Sequence, residues 1–180
     1  MDAEIVRLEG PKNYQQWYDY LYAHFYIEDE WKYLTKIIDW SEAGKDPVRV
    51  FKTRGKIYNF ILNSISDDFL LGLIAHEPLD QQNEPSNLMA LVDKYCECTP
   101  ATAASLITKL TEAEIESFPN VAVFVSYFQL AKICLEPDSE VITVLLHHAL
   151  REGRPDIYQE YKHYAALDWD NIVGDLLIDE

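Results

Sequence analysis

Apolar side chains recur along this chain at three- and four-residue intervals far more often than they alternate with polar ones, which is the spacing of helices with one buried face. In "RLEGPKNYQQWYDYLYAHFYI" the stripe is Tyr14, Trp17, Tyr18, Leu21 and Phe25. It predicts a helix from about Asn13, with Asn13 as N-cap and Gly10-Pro11 ending any earlier helix. Trp31, Leu34, Ile37, Ile38 and Trp40 form a short second element before the polar loop "SEAGKD". Pro47 suits a first helical position, and Val48, Phe51, Gly55, Tyr58, Ile61, Leu62 and Ile65 continue the spacing from there. Gly55 weakens such a helix, so a close helix contact is expected to account for it.

The next helix takes Ser66 or Asp67 as cap, carries Phe69, Leu70, Leu73 and Ile74, and stops at Pro78. Beyond a polar connector, Leu88, Leu91, Val92 and Tyr95 define another that ends near "CECTP". Thr99-Pro100 pairs a good cap with a good first residue, and a helix through Leu106, Ile107 and Leu110 follows. The domain boundary is expected here, giving units 1–98 and 99–180. Pro119-Asn120 opens a helix with Val121, Phe124, Val125, Phe128 and Leu135. Pro137-Asp138 opens one with Val141, Val144, Leu145 and His148 on its core stripe, which Gly153 breaks. Pro155 starts a helix bearing Ile157, Tyr161 and Tyr164, and Asp168 caps a last one with Trp169, Ile172, Val173, Leu176 and Leu177 inward. The expected class is all-α, two small helical domains in tandem, with no repeat period of the solenoid kind.

Composition agrees with a folded chain: 180 residues, 48% apolar, 6 glycines and 8 prolines. The net charge of −16 argues against a general nucleic-acid or anionic-membrane binder. Residues 1–98 carry 10 basic and 17 acidic side chains and residues 99–180 carry 5 and 14, so neither half is a basic arm. No stretch has the length of a membrane span, and the N-terminus lacks a signal-peptide pattern. Three cysteines, two of them one residue apart, do not suggest a disulfide framework, and a reducing cytoplasmic setting is expected.

Catalytic signatures are missing: there is no G-x-S-x-G, G-x-x-x-x-G-K-[ST], G-x-G-x-x-G or H-E-x-x-H. Glu112 and Glu116, one turn apart, read as a solvated helix face rather than an acid pair. Cys96 and Cys98 are too closely spaced for a zinc module, and adjacent His147 and His148 point about 100° apart on a helix, one toward the core and one toward solvent. His76 suits a helix C-terminus and Cys134 a small core position. No metal, cofactor or small-molecule substrate is expected. Arg49, Lys52, Arg54 and Lys56 form the one dense positive cluster, either a patch for a polyanion or an acidic partner, or the solvated face of a helix.

With these helices placed, "LEGPKNYQQWYDYLYAHF" resembles the start of Gag capsid domains of copia-type LTR retrotransposons, where L-x-G-x-x-N-Y-x-x-W leads into the first helix. Leu8, Gly10, Asn13, Tyr14 and Trp17 match it. "LMALVDKYCECTPATAASLITKLTEAE", "NVAVFVSYFQLAKICL" and "VLLHHALREGRPDIYQEY" follow in the family's order. The resemblance implies capsid N- and C-terminal domains that self-associate, in the cytoplasm, into hexamer- and pentamer-based shells around element RNA. A zinc knuckle, a basic RNA-binding tail and the protease D-[ST]-G do not occur in these residues, so RNA is expected only indirectly or through another segment.

On that arrangement the exposed residues of the first helix, Gln15, Gln16, Asp19 and Tyr22, are candidate ring contacts, and the helix of Val144 and His148 is a candidate dimer contact. A domesticated adaptor, or a restriction protein that co-assembles with an element's capsid, is the alternative. A di-iron-type enzyme would need repeated E-x-x-H on facing helices, which the sequence lacks.

Overall fold

Every regular element of the described residues is helical, as the spacing predicts, in a computed structural model that describes residues 5–26, 30–36, 46–79, 83–136, 139–163 and 167–178. The expected positions Ile37, Ile38, Trp40, Pro137, Asp138 and Tyr164 lie outside them. The chain divides into two compact units, Met1–Glu97 and Cys98–Glu180.

The first unit holds α1 (Tyr14–Tyr26), α2 (Lys32–Thr35), α3 (Pro47–Asn63), α4 (Asp67–His76) and α5 (Pro85–Glu97). Its core is the inner stripe of each helix: Trp17, Leu21 and Phe25 from α1, Ile57, Tyr58 and Ile61 from α3, Phe69 and Leu73 from α4, and Leu88, Met89, Val92 and Tyr95 from α5. Asp46 caps α3, its carboxylate accepting from Arg49 N–H at 3.0 Å. At 17 residues α3 is about 25 Å long. It buries apolar side chains only from Ile57 onward, so its first turns overhang the core formed by the described residues.

That overhang corrects three expectations. Val48 and Phe51 are 62% and 66% exposed rather than core. A Cβ placed on Gly55 would meet nothing within 4 Å, so no helix among the described residues explains that glycine. Periodicity reveals which face of a helix is apolar, but not how far the partner helix extends along it. Two smaller corrections concern α4: Ile74 is 41% exposed, and Ser66 sits at the N-cap without a side-chain cap bond.

The second unit holds α6 (Pro100–Thr111), α7 (Val121–Cys134), α8 (Ser139–Ala149), α9 (Pro155–Tyr161) and α10 (Trp169–Ile178). Two expected caps form, Thr99 accepting from Thr102 N–H at 3.3 Å and Asp168 from Asn171 N–H at 3.1 Å, and Asn120, expected only to open its helix, caps it by accepting from Val123 N–H at 2.8 Å. One apolar cluster joins all five helices, including Leu110, Phe124, Phe128, Ile142, Leu146, Leu150, Ile157, Trp169, Ile172 and Leu176.

On α8 the buried face lies opposite the expected stripe, about half a turn round the helix. Ile142, Thr143, Leu146, His147 and Leu150 are inside, whereas Val141, Val144 and His148 are exposed. The run "VITVLLHH" has apolar side chains almost all round, so spacing alone does not fix its rotation; His147 does, by stacking on Tyr158 at 4.6 Å with its Nε2 2.9 Å from the Tyr158 carbonyl. Leu177 and Ile107 are likewise exposed, at 45% and 41%. Glu112 and Glu116 do not share a helix face, because α6 ends at Thr111 and Glu116 lies in the following 3-10 turn, Ile115–Ser117. Gly153 packs against that turn: a Cβ there would run into the Ile115 and Glu116 side chains.

Candidate functional site

The five residues of the L-x-G-x-x-N-Y-x-x-W element converge on one clasp that fixes how the chain enters α1. Leu8, wholly buried, pairs with the corner between α3 and α4: its N–H donates to the Ser64 carbonyl at 2.7 Å and its carbonyl accepts from Ser66 N–H at 2.8 Å. Gly10 then takes φ 141° and ψ −161°, a conformation that a side chain would strain. Asn13 is not the helix cap the sequence suggests. It braces the loop behind it instead, accepting from Glu9 N–H at 3.0 Å and donating to the Arg7 carbonyl at 2.8 Å. A 3-10 turn over Pro11–Asn13 leads directly into α1, so Asn13 lies within a helical turn rather than at a cap.

Tyr14 and Trp17 tie α1 to distant segments. The Trp17 indole N–H donates to Ser64 Oγ at 2.9 Å, and that hydroxyl donates to the Ile61 carbonyl at 2.8 Å. The Tyr14 hydroxyl donates to Asp93 Oδ1 on α5 at 2.5 Å. Burial raises the phenol of Tyr14, and the adjoining Asp93 carboxylate raises it further. The Asp93 carboxyl is also raised, by burial first and by Glu97, with the Tyr14 hydrogen bond opposing. Burial, with Asp93 and Glu97 adding to it, pushes the Cys96 thiol up to about 12, so it stays protonated at neutral pH and is no nucleophile. The chemistry of this clasp is that of a scaffold.

The candidate interfaces lie elsewhere. Gln15, Gln16, Asp19 and Tyr22 are all exposed on α1, with Gln15 donating to Asp19 at 2.9 Å. Tyr22 belongs to an aromatic ladder: it stacks on Tyr26 at 4.8 Å and meets Trp31 edge-on at 4.7 Å. On α8, Val141, Val144 and His148 form an exposed line at positions i, i+3 and i+7.

The four-residue positive cluster does not survive as one patch. Arg49 and Lys52 are exposed. Arg54 is instead turned inward onto Glu84 at 2.5 Å, with side-chain exposures of 14% and 2%, and Lys56 reaches Glu30 at 3.5 Å. Nothing in the sequence marks Glu84, which sits in a polar connector, as a buried partner.

Among the described residues no group of three or more His, Cys, Asp or Glu is placed to hold a metal ion, and no helix is long and apolar enough to cross a membrane. Cys96 and Cys134 are buried and Cys98 is half-buried, and none of the three forms a disulfide. Comparison of the chain with protein-family models, with curated proteins and with solved structures gives no match.

Proposed function

We propose that the chain is a non-enzymatic capsid-type protein that self-associates through repeated contacts into a shell, as its resemblance to copia-type Gag implies. The observation that carries this reading is the L-x-G-x-x-N-Y-x-x-W element, in which each of the five matched residues has a defined structural task. Two compact helical units with exposed apolar side chains on several helices also suit the reading, since a shell repeats modest interfaces under symmetry. RNA, on this view, is packaged through another segment.

The test is light scattering with negative-stain imaging across protein and salt concentration. High salt screens the self-repulsion of a chain at −16 and gives assembly its best chance. Rings or hollow particles are expected, and Tyr22→Glu and Val144→Glu are expected to lower their yield. A monomer under every condition overturns the shell reading. That result would favour the second one, an adaptor that binds a partner or an element's capsid, to which the strong acidity also points.

A further inference from the structure

We infer that the overhanging start of α3 docks head-to-tail on the outer face of α4 of a second copy, an inference that rests on the self-association proposed above and names a contact for it. Three observations carry it. First, the outer face of α3 combines exposed Val48 and Phe51 with the cations Arg49 and Lys52, neither of which has a salt-bridge partner among the described residues.

Second, the outer face of α4 has the complementary composition. Asp67, Leu71 and Ile74 lie at i, i+4 and i+7 and are exposed, with Asp68 beside them. The rest of the surface is strongly acidic, so a face with two free cations selects an acidic counterpart, and like-charged approaches elsewhere are penalised. The two apolar pairs match in spacing as well as in charged surroundings: Val48 to Phe51 and Leu71 to Ile74 are each three residues apart, about 4.5 Å along the helix axis.

Third, Gly55 lies on that same outer face, one turn beyond Phe51 and Lys52, where among the described residues no atom outside its own stretch of helix backbone comes within 4 Å of a would-be Cβ. A glycine in mid-helix is less favourable than alanine, and this one receives no packing in return from the described residues. A flat spot between Phe51 and Lys52 lets a second helix axis approach closely. In the docked pair, Val48 and Phe51 cover Leu71 and Ile74, and Arg49 and Lys52 face Asp67 and Asp68. Because the two faces differ, the contact is heterologous: it propagates from copy to copy, closing into a ring if the rotation permits.

The experiment is sedimentation velocity on the full chain and its variants, with thermal melts to establish folding. R49E/K52E is expected to weaken self-association roughly 100-fold or more, as is D67K/D68K. Mixing these two variants, or combining all four changes in one chain, is expected to restore it, because each reversed face then meets an opposite charge. Gly55→Leu is expected to raise the melting temperature by roughly 2–6 °C while weakening association, a pair of effects that a purely internal role does not produce. Phe51→Ser and Leu71→Ser give the same weakening without altering charge.

Wild-type protein that stays monomeric, or association that ignores the charge reversals and is not restored by the swap, overturns the contact. If shells persist in R49E/K52E, this contact falls and the shell reading stands. If chains form that respond to the swap but never close into particles, the contact stands and the shell reading falls.

Discussion

The two units reach a packed core by different means. In the first, long-range polar pairs fix the geometry: Trp17 to Ser64, Tyr14 to Asp93 and Arg54 to Glu84 each join segments far apart in sequence. In the second, a single apolar cluster shared by five helices fills the volume, and many of its polar bonds join residues within four positions of each other, with His147 to Tyr158 and Tyr161 to Asp175 reaching between helices. A paired charge or a buried donor admits one partner at one distance, whereas an aliphatic cluster tolerates rearrangement at constant volume. The first unit is therefore specified by a few bonds and the second by total packing.

Two substitutions should separate these modes most strongly. Arg54→Met takes the guanidinium away from the Glu84 carboxylate, 1% exposed, and is expected to cost about 3–5 kcal/mol, lost from the first unit. Phe128→Ala opens a cavity in the second unit's cluster and is expected to cost about 3–5 kcal/mol there. Hydrogen exchange by mass spectrometry on each variant reads the two units separately, and loss of protection in the other unit would break the comparison.

Gly10→Ala comes next. Its φ of 141° is a conformation alanine resists, so about 1–3 kcal/mol is expected, read as a lower urea midpoint for the first unit. An unchanged midpoint would mean that the clasp adapts.

Tyr14→Phe sharpens the contrast through pH. Removing the hydroxyl is expected to cost about 1 kcal/mol at neutral pH. The folded-state carboxyl of Asp93 lies above its ordinary value of 3.8, so its contribution to stability is present in full below that pH and lost as pH rises through the raised value. The Tyr14 hydrogen bond lowers this carboxyl, so the variant should raise it further, and the penalty should shrink on acidification as Asp93 takes up its proton. Carbon-13 titration of the Asp93 carboxyl measures this, and a titration identical to wild type would remove the Tyr14–Asp93 bond from the account. The smallest effect is chemical: Cys98, half-buried, is expected to alkylate before Cys96, whose thiol lies at about 12.

The helices were legible in the sequence wherever a cap and a one-sided stripe coincide, as at Thr99, Asn120 and Asp168. Rotation was not legible in α8, because "VITVLLHH" is apolar nearly all round and a contact from α9 turns His147 inward. The overhang of α3 was hidden for a related reason: Val48 and Phe51 obey the period of a core stripe yet lie exposed. Of the candidate sites, the surface positions Gln15, Gln16, Asp19 and Tyr22 follow from the unburied face of α1. Arg54 does not follow from its neighbours, since its partner Glu84 lies thirty residues away. Leu8, Gly10, Asn13, Tyr14 and Trp17 stand together as a motif, yet only the folded chain reveals that they serve one joint.

That joint also sets a timetable for synthesis. Ser64 is 47 residues behind Trp17, and Asp93 is 79 behind Tyr14. At about 5–20 residues per second, the ribosome delivers these partners roughly 2–9 s and 4–16 s after the aromatic residues they hold. For that interval the aromatic face of α1 emerges before the groups that anchor it, and nascent copies on one polysome display it side by side.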